Sequence, residues 1–285
     1  MKEFLEKKKT KNNNVAISAI CKNEEEYIKE WLEYHSNIGV DHFILYDNNS
    51  HISLKKILSE YSNVEVIDWS DNTRGTQIRS QIHCVNKYSH FRWIGFLDID
   101  EYIVLLNDSV KIKDYLKEFI EYDGLCLYWL AFGSNKHKTK QTSTINSYTQ
   151  SCPNLNKFNK HIKCFINPKK YDHSATHWTS HYLPTLNGSV DVTHTNVEKY
   201  WTNPLAFQKY IKNLSIKTTI NEKIRINHYY TRSIEDFNHK MLRGGGVNVK
   251  KVYNKSNYNS VNKEDVFNND IIQTIINLNK IKEKK

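Results

Sequence analysis

Between residues 15 and 101 the chain repeats one pattern: a short apolar run, a polar cluster, then a stretch of helical periodicity. The runs are Val15 to Ile20, HFILY after Asp41, Val64 to Ile67, and Trp93 to Leu97. Each is too short for a buried helix and is bounded by polar residues, so each predicts a strand. Glu24 to about Asn37 predicts a helix with Ile28, Trp31, Leu32, His35 and Ile38 on one side. Ser53 to Glu60 predicts a second, capped by Ser50 or Ser53, and Gly75 to about Tyr88 a third, with Ile78, Ile82 and Val85 inward. Four strands alternating with three helices predict an α/β fold of Rossmann-like type, a mostly parallel central sheet with helices on both faces. Functional groups in such a fold collect at the carboxyl ends of strands. Three polar clusters fall there: Lys22-Asn23-Glu24, Asp47-Asn48-Asn49 and Asp98-Ile99-Asp100.

Beyond Glu101 the pattern changes to a smaller, mixed β/α region. Val110 to Ile120 predicts a helix, and Gly124 to Phe132 a strand followed by Gly133-Ser134-Asn135. Residues 134–160 are polar and predict a mobile loop or lid. His161 to Asn167 and Lys223 to Tyr229 predict strands, and 171–200 an irregular or β segment. Ser233 and Asp236 form a capping-box pattern, opening a helix with Ile234, Phe237, Met241 and Leu242 inward and a stop at Gly244. The division expected is a flexible basic arm over 1–14, one catalytic domain over 15–260, and an amphipathic helix over 261–285. Within the domain, 15–109 reads as a donor-binding half and 110–260 as an acceptor-binding half. The last helix can dock on the domain or touch an anionic membrane surface.

Composition narrows the partners. The net charge of +10 favours anionic ligands, but no zinc-finger spacing or arginine cluster supports nucleic-acid binding. The five cysteines lack close pairs and read as reduced core thiols. The charged start lacks the apolar core of a leader, and no run of 18 apolar residues occurs. The expected location is the cytoplasm, or the cytoplasmic face of a membrane.

Among the polar clusters, Asp98 and Asp100 are the sharpest. Alternate carboxylates at a strand exit can converge on one divalent cation, Mn²⁺ or Mg²⁺, which also takes phosphate oxygens. Alternatively they are two surface turn acids. Asn23 and Glu24 suit a helix cap or a nucleotide contact. Asp47 suits an Asx turn or the N3–H of a uracil ring. Histidines crowd the back half, and His228 is the best placed to complete a metal site. Lys240 and Arg243, one turn apart, can bridge phosphates or simply complement a helix end. Arg79, near a helix start, is a further candidate. A GxGxxG turn, a Walker loop and HExxH are all absent.

Taken together, AICKNEEEYIKEWLEYHSNIGVDHFILYDNNS, FRWIGFLDIDEYIV, YWLAFGSN, KCFINPKK and INHYYTRSIEDFNHKMLRGG resemble nucleotide-sugar glycosyltransferases of the GT-A fold. The resemblance is to a family-two-like group that overlaps glycosyltransferase family ninety-two. It implies a UDP-sugar donor, a divalent metal and an Asp-x-Asp motif at Asp98 and Asp100. It implies donor contacts at Asn23, Glu24 and Asp47, and a wall near the sugar from Trp129, Phe132, Gly133 and Ser134. It places His228 on the metal, with His177 as rival. It implies an inverting hexosyl transfer, with galactose foremost, to a glycan or lipid-linked glycan in capsule or lipopolysaccharide synthesis. An inverting enzyme needs a base; Asp191 is the candidate, with Asp172 and Glu101 as rivals. A metal-dependent phosphoesterase and a non-catalytic glycan-binding protein are the alternatives.

Overall fold

The computed structural model describes residues 14–106, 111–153, 156–176, 179–198, 223–244, 254–263 and 266–282. The expected arm up to residue 13 lies outside the described residues, as does His177.

A nine-stranded sheet runs through both expected halves. Its strands are β1 (Val15–Cys21), β2 (His42–Asp47), β3 (Val64–Asp68), β4 (Trp93–Phe96), β5 (Glu101–Leu105), β6 (Gly124–Ala131), β8 (Ile162–Ile166), β9 (Ser189–Asp191) and β10 (Ile224–His228). A separate ribbon pairs β7 (Gln150–Ser151) with β11 (Val266–Phe267). The order across the large sheet is β3-β2-β1-β4-β8-β6-β10-β5, with β9 also on β6. β1 pairs in parallel with β2 and β4, and β2 with β3. β8 is antiparallel to both β4 and β6, so β6 runs the same way as β4. β10 and β9 are parallel to β6, and β5 runs against β10. The sheet is thus mostly parallel. Its central strands read as continuous apolar runs because both faces are covered.

The helices are α1 (Ile28–Asn37), α2 (Leu54–Ile57), α3 (Thr76–Lys87), α4 (Ile112–Leu116), α5 (Thr144–Ser147), α6 (Ile234–Arg243), α7 (Lys255–Val261) and α8 (Asp270–Lys282). α1 follows β1, yet Trp31 Nε1 donates to Glu101 O at 2.8 Å and Tyr34 OH to Ile103 O at 2.5 Å. The helix therefore bonds to β5, at the other end of the strand order, and the sheet curls around it. One continuous core runs from Val15 to Leu278.

Four expectations change. α1 begins at Ile28 rather than Glu24, because Asn23 is left-handed and Glu24 to Tyr27 close a turn first. The 134–160 stretch is folded: Thr144, Ile145, Tyr148 and Cys152 are buried. It is pinned by Glu30, which accepts from Ser143 Oγ at 2.5 Å and Thr144 N at 2.7 Å. On α6, Phe237 is buried but Leu242 is 87% exposed, while Asp236 and Lys240 are buried instead. That helix packs Phe237 and Met241 on a small apolar cluster and turns Asp236 and Lys240 to a charged site. On α3 the buried face is Thr76, Ser80, Gln81, Cys84 and Val85, with Ile78 and Ile82 half-buried. α8 docks: Ile271 and Leu278 are buried, and Thr274 Oγ1 donates to Leu105 O at 3.0 Å. All five cysteines are buried, and none is in a disulfide.

Candidate functional site

Because β1, β2, β4, β6 and β10 point the same way, the segments after Cys21, Asp47, Phe96, Ala131 and His228 all emerge at one edge. Residues 97–100 cross there from β4 to β5, whose Glu101 pairs in register with His228. Asp47, at the end of β2, and Asp98 and Asp100, in the connection after β4, therefore share one edge, with β1 between the two strands.

The two motif aspartates meet different partners. Asp98 Oδ1 accepts from Gln77 Nε2, and Oδ2 from Lys163 Nζ, both at 2.8 Å. Lys163 sits in the middle of β8, is 1% exposed, and also lies 3.5 Å from Glu101 Oε2. Burial disfavours the charge on Lys163, but Asp98 and Glu101 outweigh it and hold the ammonium charged. Burial pushes the Glu101 carboxyl well up, against the pull of Lys163 and with Asp98 and Asp100 adding to the rise. Asp100 Oδ2 accepts from Lys240 Nζ and lies 3.4 Å from His228 Nε2. Burial alone would raise Asp100, but Lys240, His228 and Arg232 hold it well below the usual carboxylate range. Burial lowers His228 against the pull of Asp100, which favours a neutral imidazole. Its Nδ1 is buried without a partner.

Beside this pair lies a cleft of about 620 Å³ between the 22–27 turn and α6. Arg232, Lys240, Arg243, Lys22 and Lys140 line it, with Glu24 to Glu26 and Asp236. Glu24 is the hub. Its Oε2 accepts from Arg232 NH1 and its Oε1 from Arg243 NH1, both at 2.8 Å. Burial would raise the Glu24 carboxyl, but the two arginines hold it down. Arg232 is 2% exposed and left-handed, and it stacks 3.7 Å over the Tyr27 ring. Its NH2 donates to Ile99 O at 2.9 Å, which fixes the loop carrying both aspartates. The capping box is present, and Asp236 Oδ1 also accepts from Tyr27 OH at 2.7 Å. Lys140 pairs with Glu26 at 2.6 Å. Glu25 keeps a buried oxygen without a partner.

The other expected residues divide. Asn23 lines the cleft and ties two loops, accepting from His51 N while its own N–H reaches Ser50 Oγ, both at 3.0 Å. The Asp47 carboxylate accepts from Ser50 N at 3.0 Å and Leu54 N at 3.1 Å, the Asx-turn arrangement. Trp129 packs edge-on to His228 at 4.1 Å between centroids and stacks on His161, its Nε1 unpartnered. Phe132 N donates to His228 O and Gly133 N to Gln150 O. Ser134 Oγ donates to Asn262 Oδ1 at 2.6 Å. Arg79 folds back on Asp71 at the surface, outside the cleft lining.

None of the three candidate bases lines the cleft. Asp191 is 2% exposed, and its Oδ1 accepts from Thr193 N, Thr193 Oγ1 and Thr195 N. Asp172 Oδ1 accepts from Ser174 N and Oγ in a similar turn. Glu101 is fully buried beneath Asp98. For Asp191 and Asp172, the polar runs that suggested an acceptor-facing loop are self-satisfied turns.

Among the described residues no three His, Cys, Asp or Glu side chains converge on one point. Asp100 Oδ2 nevertheless faces both His228 Nε2 and the Lys240 ammonium, so an oxygen and a nitrogen lie side by side there. That donor pair fits a cation that takes its remaining ligands from phosphate and water. Sequence reasoning missed Lys163, Arg232 and Gln77. Lys163 left a signal, one cation inside an apolar strand; Gln77 left none.

The Glycosyltransferase family 92 model matches residues 15–275. Family 92 proteins of Oryza sativa subsp. japonica and Ricinus communis are 30% and 29% identical over 114 and 113 residues. Each match takes in 35% of this chain and 20% of the relative. An Arabidopsis thaliana family 92 protein is 31% identical over 105 residues, 18% of its length. These matched stretches thus span about a fifth of the curated relatives. No described helix is long and apolar enough to cross a membrane. On the family match over most of its length, this chain belongs to glycosyltransferase family 92.

Proposed function

We infer that the chain transfers a hexose from a UDP-sugar to a hydroxyl of a glycan or lipid-linked glycan, with inversion. The observation that carries the reading is a charged cleft at the sheet's carboxyl edge, lined by five cations and four carboxylates, whose Lys240 also pairs with Asp100 just behind the wall. Such a cleft suits a nucleoside diphosphate, whose leaving phosphate gains negative charge as the sugar–phosphate bond breaks. Lys240 and Arg243 face that charge as donors. Arg232 keeps the Asp98–Asp100 loop in place through Ile99 O. Asn23 and Asp47 stand at adjacent strand ends, where they can meet the base. Asp100 and His228 would hold Mn²⁺ or Mg²⁺, which supplies electrostatic stabilisation of the leaving diphosphate. Family membership makes transfer a better reading than phosphate hydrolysis or glycan binding alone. Galactose is the first sugar to test, and surface polysaccharide synthesis at the cytoplasmic membrane face the first context.

The test is UDP release from UDP-galactose, UDP-glucose, UDP-N-acetylglucosamine and UDP-N-acetylgalactosamine, with and without Mn²⁺ and glycan acceptors. One donor should be consumed, faster with metal and acceptor. Turnover of simple phosphomonoesters instead, or binding of glycan without UDP release, would overturn the reading.

A further inference from the structure

Lys240 faces two ways. Its ammonium donates to Asp100 Oδ2 and to Tyr230 O, the latter at 2.8 Å, and the same side chain lines the cleft. It is 5% exposed, so its charge is matched internally rather than by water. Asp100 thus carries its own counter-ion, set against His228 Nε2. A divalent cation on those two atoms would crowd the ammonium, and like charges at contact in a buried site repel strongly. An anion in the cleft offers the ammonium another partner.

The second lysine makes an informative control. Lys163 holds Asp98 from the middle of β8 and does not line the cleft. Asp98 has both oxygens occupied, by two residues that do not line the cleft. Lys240 sits in the last turn of α6, four residues before a left-handed Gly244. Only Asp100 has a counter-ion that an incoming ligand can draw away.

We propose that Lys240 is a positioning residue acting as an exchangeable counter-ion. It fills the cation position on Asp100 in the free protein and moves to the donor's diphosphate when that enters. Metal and sugar nucleotide then bind as a coupled pair, each raising the affinity of the other by the same factor. This rests on the cleft being the diphosphate site.

The experiment titrates the full chain with Mn²⁺ alone and with saturating UDP, following free Mn²⁺ by electron paramagnetic resonance. UDP binding without metal is measured separately by calorimetry. The wild-type protein should bind Mn²⁺ about tenfold or more tightly with UDP than without. Lys240→Met should bind Mn²⁺ alone about tenfold tighter than wild type, with the UDP effect smaller by about the same factor, because direct phosphate ligation of the metal remains. Lys240→Gln, which keeps a hydrogen bond to Asp100 without the charge, should do the same and serves if Lys240→Met fails to fold. Lys240→Arg should keep the coupling. Unchanged Mn²⁺ affinity and unchanged UDP effect in folded, uncharged variants would overturn the proposal while leaving the donor reading standing. Absence of UDP binding in every form would overturn the donor reading and this proposal together.

Discussion

The carboxyl edge of the sheet and the 189–197 segment each hold a buried aspartate, Asp100 and Asp191, by opposite means. At the edge, Asp98 and Asp100 are satisfied by side chains, above all Lys163 and Lys240. In the segment beside β6, Asp191 is satisfied by two backbone N–H groups and the Thr193 hydroxyl. A carboxylate bound to its own turn shapes the backbone and cannot change partners without undoing it. A carboxylate bound to a lysine on the cleft wall, as Asp100 is, can exchange that partner for another charge. Both are buried aspartates in polar surroundings, and only the first kind suits a site that must accept and release charged ligands.

The sharpest way to break this contrast is to remove one aspartate of each kind. Asp100→Ala should lower UDP-sugar turnover by about 100-fold or more. Asp191→Ala should stay within about threefold of wild-type turnover while losing about 1–3 kcal/mol of stability, because its turn N–H groups lose their acceptor. Steady-state turnover and urea unfolding of both variants decide it. A silent Asp100→Ala beside a dead, well-folded Asp191→Ala would reverse the assignment and restore Asp191 as the base.

Arg232 tests the side-chain-held region from its centre. It joins Glu24, the Ile99 carbonyl and the Tyr27 ring at once. Lysine offers neither the planar fork nor the stacking face. Arg232→Lys should cost about 3 kcal/mol, since Glu24 and the 97–100 loop lose a buried partner. Denaturant unfolding that matches wild type would show that the edge is held by other contacts.

The contrast also explains what was legible in the sequence. The strands of the edge were, because continuous apolar runs such as those of β1, β2 and β6 form strands whatever lies far off. The polar clusters at their ends followed from the direction of a parallel sheet. The inward face of α6 was legible only in part: Phe237 and Met241 pack inward as expected, but apolar periodicity also pointed to Leu242, while burial fell on Asp236 and Lys240. Those are set by partners remote in the chain: Arg232 meets Glu24 across 208 residues, and Lys163 meets Asp98 across 65. Local patterning carries no trace of such pairs. The 134–160 stretch misled for a related reason. Its Ser, Thr and Asn residues read as solvated loop, yet they bond to α1 and α7.

The smallest expected effect extends the contrast to imidazoles. His35 and His228 are both buried, but His35 has two backbone partners. Its Nδ1 lies 2.8 Å from Trp31 O, and its Nε2 accepts from Ile103 N at 3.3 Å. Those partners require the neutral ring with the proton on Nδ1. Burial pushes the His35 pKa down from 6.5 to about 3, against the Trp31 carbonyl. The unfolded chain therefore takes up the proton first as pH falls. The sign follows: stability is fully present above pH 6.5 and is lost as pH drops from there toward 3. From pH 7 to pH 5 the group should account for about 2 kcal/mol. His35→Gln cannot titrate there, so its stability should fall less steeply over that range than wild type. Parallel curves of unfolding free energy against pH would show that His35 does not govern acid sensitivity. A steeper wild-type curve would place this switch in the scaffold beneath β5, on the backbone-satisfied side of the comparison.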